Sequence, residues 1–233
     1  MQALFFDCDG VLADTERDGH RIAFNAAFKE SGLPLEWSVD RYGELLTTAG
    51  GKERMRRHFD ETDSWPVAAD RQDGFIRELH GRKTRLFTGL IESGALPLRP
   101  GVAALVDEAI AANIGLAVCS TSDRKAVQAI VDVLLGPDRT PHLPVFAGDI
   151  VPAKKPDPAI YDIAARSLGV APSRCLVVED SRIGLQAARA AGMRCIVTRS
   201  AYTGAEDMTG ADLVLPSLAG FTLADCASVL AAS

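Results

Sequence analysis

The sequence predicts an α/β protein: a parallel sheet covered by helices, interrupted by a second domain that is all helical. Three observations predict it. Short apolar runs recur, each ending in polar or glycine-rich residues; helical patterns separate several of them; and one long early stretch carries helical patterns with no buried strand. A strand exposed on one face alternates polar and apolar residues. Continuous apolar runs therefore indicate strands buried on both faces, as in a parallel sheet.

In chain order, residues 3–6 form the first apolar run and lead into Asp7-Cys8-Asp9-Gly10. From about residue 15 to residue 93 nothing reads as a buried strand, while 16–31, 39–46, 52–59 and 70–92 have helical character. An insert this long is a domain rather than a connection. The expected division is a core of residues 1–14 and 94–233 around a helical domain of residues 15–93. Leu96-Pro97-Leu98-Arg99-Pro100-Gly101 marks the return to the sheet. Helical patterns at 102–112, 124–135, 159–168 and 183–191 then alternate with apolar runs at 114–119, 145–147, 175–178, 195–197 and 213–215. Such strands connect by right-handed crossovers, and ligands gather at their carboxyl ends.

Composition narrows the function. A formal net charge of −6 supplies no cation excess for general nucleic-acid binding. No apolar run reaches the ~18–20 residues that span a bilayer, and the start lacks the layout of a signal peptide. The expectation is an intracellular chain, cytoplasmic or, if from a photosynthetic eukaryote, in the plastid stroma, and a monomer acting on a small molecule. Five cysteines at wide spacings, without a Cys-x-x-Cys pair, argue against a disulfide framework or a zinc site. His58, His80 and His142 show no ligand spacing and read as surface residues.

The chemistry collects at strand ends. Asp7 and Asp9 follow an apolar strand two residues apart, so both point to one side while the backbone stays extended. A carboxylate nucleophile beside a separate acid/base group is what stepwise phosphoryl transfer requires. An acidic turn would carry the same Asp-x-Asp-Gly, but three later features weigh against that reading. Ser120 ends the strand of 114–119, where a hydroxyl can bond a phosphoryl oxygen; Ser122 is the better cap for the following helix. Lys154-Lys155-Pro156-Asp157-Pro158 opens another helix with paired ammonium groups, and Glu179-Asp180 ends a buried strand. A dianionic phosphate near Asp7, Asp9, Glu179 and Asp180 would be repelled, at roughly 4 kcal/mol per like-charge pair at 4 Å. A hard divalent cation relieves this, and Mg2+ suits carboxylates without histidine or cysteine.

The order Asp-x-Asp-Gly-Val, strand-end Ser, Lys-Pro and Glu-Asp resembles the haloacid dehalogenase superfamily over essentially the whole chain. The resemblance implies a Rossmann-like core with an inserted helical cap. It further implies Asp7 as nucleophile, Asp9 as general acid/base, and Ser120 and Lys155 as holders of the transferring phosphoryl group. Mg2+ is then served by Asp7, the Asp9 carbonyl, Glu179 and Asp180. Within the superfamily the chain resembles the β-phosphoglucomutase-like subgroup and CbbY-type xylulose-1,5-bisphosphate phosphatases, which remove a misfire product that inhibits Rubisco. This rests on Asp14-Thr15-Glu16-Arg17-Asp18-Gly19-His20-Arg21, Gly43-Glu44-Leu45-Leu46, Gly50-Gly51-Lys52-Glu53-Arg54-Met55, Leu98-Arg99-Pro100-Gly101, Val118-Cys119-Ser120-Thr121-Ser122 and Lys154-Lys155-Pro156-Asp157-Pro158-Ala159-Ile160-Tyr161.

A cap that closes and reopens would shield the chemistry and supply specificity. Gly50, Gly51, Lys52 and Arg54 stand at a helix start suited to a second phosphate. Glu16 and His20 are candidates for sugar hydroxyls. A thiol role for Cys8 is disfavoured by its anionic neighbours. The competing functions are a phosphosugar mutase, told apart by retained phosphate, and a non-catalytic metabolite-binding protein, told apart by tight Mg2+-dependent binding without turnover.

Overall fold

β1 (Ala3–Phe6) runs through the middle of a six-stranded sheet whose order is β3-β2-β1-β4-β5-β6, every pair parallel. The remaining strands are β2 (Gly115–Cys119), β3 (Val145–Phe146), β4 (Cys175–Glu179), β5 (Arg194–Thr198) and β6 (Leu213–Leu215). This computed structural model describes residues 1–48, 51–148 and 150–232. By internal contacts the chain divides into two compact units, Met1–Thr15 with Leu96–Ser233, and Glu16–Ala95. The sheet belongs to the first.

Burial on both faces explains the continuous apolar runs. Ala3, Phe5, Ala117, Cys119, Cys175, Val177, Cys195 and Val197 pack in one core with Ile160, Tyr161 and Ala164 of α7 (Ala159–Leu168) and Leu185 and Ala188 of α8 (Arg182–Ala190). Leu4, Phe6, Leu116, Val118, Leu176, Val178 and Ile196 alternate with them and are equally buried. On the β2 and β4 side lie α5 (Val102–Ala111) and α9 (Leu223–Ala231), with α6 (Arg124–Leu135) against β3. The sequence patterns do not anticipate α9, in which Cys226 alone is fully buried. Its signal is a capping box, Thr222 with Asp225.

The register pairs Phe6 with Val118 of β2 and Val178 of β4. The chain builds outward from β1 in both directions, so the crevice at this switch point opens above the carboxyl ends of β1 and β4. Asp7 and Glu179-Asp180 occupy those ends.

The second unit is helical: the π-helical stretch Thr15–His20, whose first residue belongs to the first unit, leads into α1 (Arg21–Glu30), α2 (Val39–Leu45), α3 (Gly51–Thr62), a 3-10 turn Ala69–Arg71 and α4 (Gln72–Glu92). Its interior is aromatic: Phe24, Phe28, Trp37, Tyr42 and Phe59 are all buried. His58 belongs to this interior, 7% exposed with its ring 5.6 Å from Trp37, which corrects the expectation of a surface residue. Met55, His58 and Phe59 stand at i, i+3 and i+4 on α3, so the helical period puts His58 on the buried face. His80 is half-buried and His142 exposed. Among the described residues no helix is long and apolar enough to cross a membrane.

Candidate active site

Asp7 extends the β1–β4 pairing one step, its N–H donating to Val178 O at 2.9 Å. Its carboxylate therefore stands beside the end of β4. Lys155, in the loop before α7, donates to Asp7 Oδ1 at 2.7 Å, Glu179 Oε1 at 2.6 Å and the Cys119 carbonyl at 2.9 Å. All three strand ends thus meet on one ammonium. Tyr161 donates its hydroxyl to the same Glu179 Oε1, and its ring lies 5.0 Å from Lys155 Nζ. Glu179 Oε2 accepts the Asp180 N–H at 3.2 Å, so both oxygens of this fully buried carboxylate are engaged. After Asp9 the chain turns at Gly10, with φ +77°, and a Cβ there would overlap the Asp180 carboxylate. Glycine is needed twice over: for the left-handed turn and for the close approach of Asp180.

Asp9 is held differently. Thr15 Oγ1 donates to its Oδ1 at 2.5 Å and Ser122 Oγ to its Oδ2 at 2.6 Å. Ser122 is therefore not the helix cap. Asp123 caps α6, accepting from Lys125 and Ala126 N–H, which corrects the sequence reading. Ser120, 1% exposed, accepts the Ser122 N–H at 3.1 Å, so the expected phosphoryl ligand and the Asp9 partner are neighbours on one loop.

Oxygens of Asp7, Glu179 and Asp180 lie within 4.8 Å of one another. The Asp7 carboxyl is pushed up to about 7, by burial first and then by the charges of Glu179 and Asp9, against the opposing pull of Lys155. Burial and the charges of Asp7 and Glu179 likewise push Asp180 well above the carboxylate range. Lys155 is buried too, but the two carboxylates outweigh burial and hold it charged. One ammonium faces three buried carboxyls, Asp7, Glu179 and Asp180, so the ionised cluster would demand more positive charge. A small divalent cation would meet that demand through hard oxygen donors, and neither histidine nor cysteine is among them, so the residues fit Mg2+. The Asp9 carboxylate lies outside the group; only its carbonyl is left for the role that the resemblance implies. Burial, then Asp9 and Asp7, drive the Cys8 thiol well up, against any thiolate.

In the helical unit the structure brings Glu16 and Arg54 together. Tyr42 donates to Glu16 Oε2 at 2.5 Å, Arg54 Nη1 donates to the Tyr42 hydroxyl at 3.1 Å, and Arg54 stands 3.5 Å from Glu16. Lys52 is exposed near Gly51 at the start of α3. His20 has partners of its own: Lys83 Nζ lies 2.9 Å from its Nδ1 and the Phe87 ring 4.0 Å from its own. Gly50 lies outside the described residues. Sequence reasoning gave no role to Tyr161, Thr15, Tyr42 and Lys83: Tyr161 sits within an apolar helical pattern, and the other three among polar neighbours that do not single them out.

Comparison with known proteins agrees with this geometry. The family model for haloacid dehalogenase-like hydrolases matches residues 1–192. The chain is 57% identical to the CBBY-like protein of Arabidopsis thaliana, over 98% of this chain and 74% of that one. It is 43% identical to protein CbbY of Rhodobacter capsulatus, over 94% of each. A crystal structure of a CbbY mutant from Rhodobacter sphaeroides, in complex with xylulose-1,5-bisphosphate, superposes with a TM-score of 0.78 at 41% identity, covering 97% of this chain and 98% of that one. The chain belongs to the haloacid dehalogenase-like hydrolases, among the CbbY-like proteins.

Proposed function

We propose that this hydrolase is an Mg2+-dependent phosphatase that releases inorganic phosphate from xylulose-1,5-bisphosphate through an aspartyl-phosphate at Asp7. The observation that carries the reading is the pairing of a buried Asp7, held by Lys155 at 2.7 Å, with an Asp9 carboxylate held by two hydroxyls two residues on. The nucleophile is charge-paired, and the acid/base group is oriented separately.

In the first half-reaction a carboxylate oxygen of Asp7 bonds to phosphorus as the bond from phosphorus to the sugar oxygen breaks. Asp9 gives that oxygen its proton. In the second half-reaction Asp9 takes a proton from water, the water oxygen bonds to phosphorus, and the acyl-phosphate bond breaks to free phosphate and Asp7. Lys155 and Ser120 hold the phosphoryl oxygens, and Glu179 with Tyr161 keeps the Lys155 ammonium in place. Asp7, Asp180, Glu179 and the Asp9 carbonyl would hold Mg2+, whose chemistry is to offset the negative charge of phosphate and carboxylates.

The bisphosphate is favoured by the solved CbbY complex, whose ligand is xylulose-1,5-bisphosphate. For its recognition we assign Glu16 and Arg54, joined through Tyr42, with Lys52 and the Gly50-Gly51 pair for the second phosphate. His20 has Nδ1 and one ring face engaged, so its hydroxyl contact falls to Nε2.

The test is to incubate pure protein with xylulose-1,5-bisphosphate and Mg2+ and assay phosphate and the remaining sugar phosphate. Stoichiometric phosphate is expected, lost on chelation and in Asp7→Asn. An isomeric sugar phosphate without phosphate release would make the chain a mutase instead. Near-normal turnover by Asp7→Asn would end the covalent mechanism.

A further inference from the structure

Arg99, in the Leu98-Arg99-Pro100-Gly101 segment that returns the chain to the sheet, has no place in the reaction described above. Its contacts are nonetheless concentrated around the acidic cluster. Nη1 donates to the Gly10 carbonyl, to Thr198 O at 3.3 Å and to Thr198 Oγ1 at 3.2 Å. Nη2 donates to Arg199 O at 2.6 Å and Pro216 O at 3.1 Å, and the Arg99 N–H donates to Leu12 O at 2.8 Å. One residue thereby ties the loop after β1 to the ends of β5 and β6.

Asp180 lies among the parts that are tied. Gly10 is the residue whose absent Cβ makes room for the Asp180 carboxylate. A guanidinium suits this task because its planar fork donates in several fixed directions at once, which an ammonium cannot do.

We propose that Arg99 is a positioning residue that sets the Asp180 carboxylate against Asp7 by clamping the Gly10 turn to the ends of β5 and β6. It touches no reacting atom. The inference rests on the reading of Asp7 and Asp180 as a Mg2+ site. Loss of the clamp leaves all the carboxylates present but lets their separation drift, so metal affinity falls before substrate affinity does.

The experiment uses the full chain with Arg99→Ala and Arg99→Lys. Mg2+ alone is titrated calorimetrically into each substrate-free protein, KM and kcat are measured at saturating Mg2+, and guanidinium is added for rescue. Expected for both variants is an Mg2+ affinity weaker by about tenfold or more, with KM for the bisphosphate within about twofold of wild type. Guanidinium should restore Mg2+ affinity to Arg99→Ala, and equal sodium chloride should not. If Arg99→Ala fails to fold, Arg99→Lys carries the test. A folded variant that binds Mg2+ as wild type does, or a loss confined to KM, overturns the positioning role. Absence of Mg2+ binding in the wild type would instead overturn the underlying reading of the metal site.

Discussion

Gly184 on α8 and Glu179 at the end of β4 claim the same space: a Cβ on the glycine would fall well under 3.0 Å from the carboxyl carbon and both oxygens of the glutamate. In an exposed helix interior, Gly→Ala gains about 1 kcal/mol. Here the methyl must displace a fully buried carboxylate that holds Lys155, Tyr161 and the Asp180 amide. Breaking a buried charge pair costs about 3–5 kcal/mol, so the clash wins over the propensity. Gly184→Ala should lower the thermal midpoint and abolish phosphate release. A variant as stable as wild type would show that Glu179 is free to move.

Tyr161→Phe keeps the ring over Lys155 and removes only the hydroxyl from Glu179. Glu179 Oε1 retains its lysine, so the expected loss is about 0.5–1.5 kcal/mol, that of one hydrogen bond. Tyr161→Leu also removes the aromatic face from the ammonium and should cost more. Chemical denaturation of both variants measures the difference. Equal losses would mean that the ring contact contributes nothing.

Ser122→Ala and Thr15→Val each strip one hydroxyl from the Asp9 carboxylate. Each should lower kcat by about tenfold, with Mg2+ affinity unchanged, because the Asp9 side chain lies outside the group formed by Asp7, Glu179 and Asp180. The double variant should lose less than the product of the two, since both hydroxyls hold one carboxylate. Weakened Mg2+ binding by Ser122→Ala would put the Asp9 side chain in the metal site.

These variants also mark how far the sequence could be read. Asp7, Lys155, Glu179 and Asp180 were legible because a parallel sheet gathers strand ends, and a polar residue closing an apolar run announces itself. Tyr161 was not, since Ile160, Tyr161, Ala164 and Ala165 form an ordinary buried helix face and nothing in that pattern says where one hydroxyl goes. Ser122 and Asp123 are near-equal cap formers, so propensity alone could not assign them. Arg99 stands in the Leu98-Arg99-Pro100-Gly101 motif with no legible role, because carbonyl partners have no sequence signature. Ligand spacing says nothing of the burial of His58, whereas its helical period with Met55 and Phe59 marks the buried face.

The histidines of the helical unit give that unit a pH dependence. Burial comes first in pushing His20, His58 and His80 below their ordinary range. Lys83 and Arg54 add to it at His20, Arg41 at His58, and Lys83 and Lys52 at His80, while Glu61 and Glu53 oppose it at His58 and His80. The folded unit thus keeps them neutral, whereas the unfolded chain takes up their protons below about pH 6.5. The unfolded state then binds more protons, so stability is complete above that pH and falls as pH drops through it. The slope is at most about 1.4 kcal/mol per pH unit for each histidine that stays neutral. Both tryptophans, Trp37 and Trp65, lie in this unit, so fluorescence-detected urea unfolding reads it. The urea midpoint should be lower at about pH 5.5 than at about pH 7.5. His58 Nδ1 has no hydrogen-bond partner among the described residues, so His58→Leu strands nothing and should flatten part of the slope. A midpoint that rises on acidification, or an unchanged slope in His58→Leu, would show that these rings are protonated inside the fold.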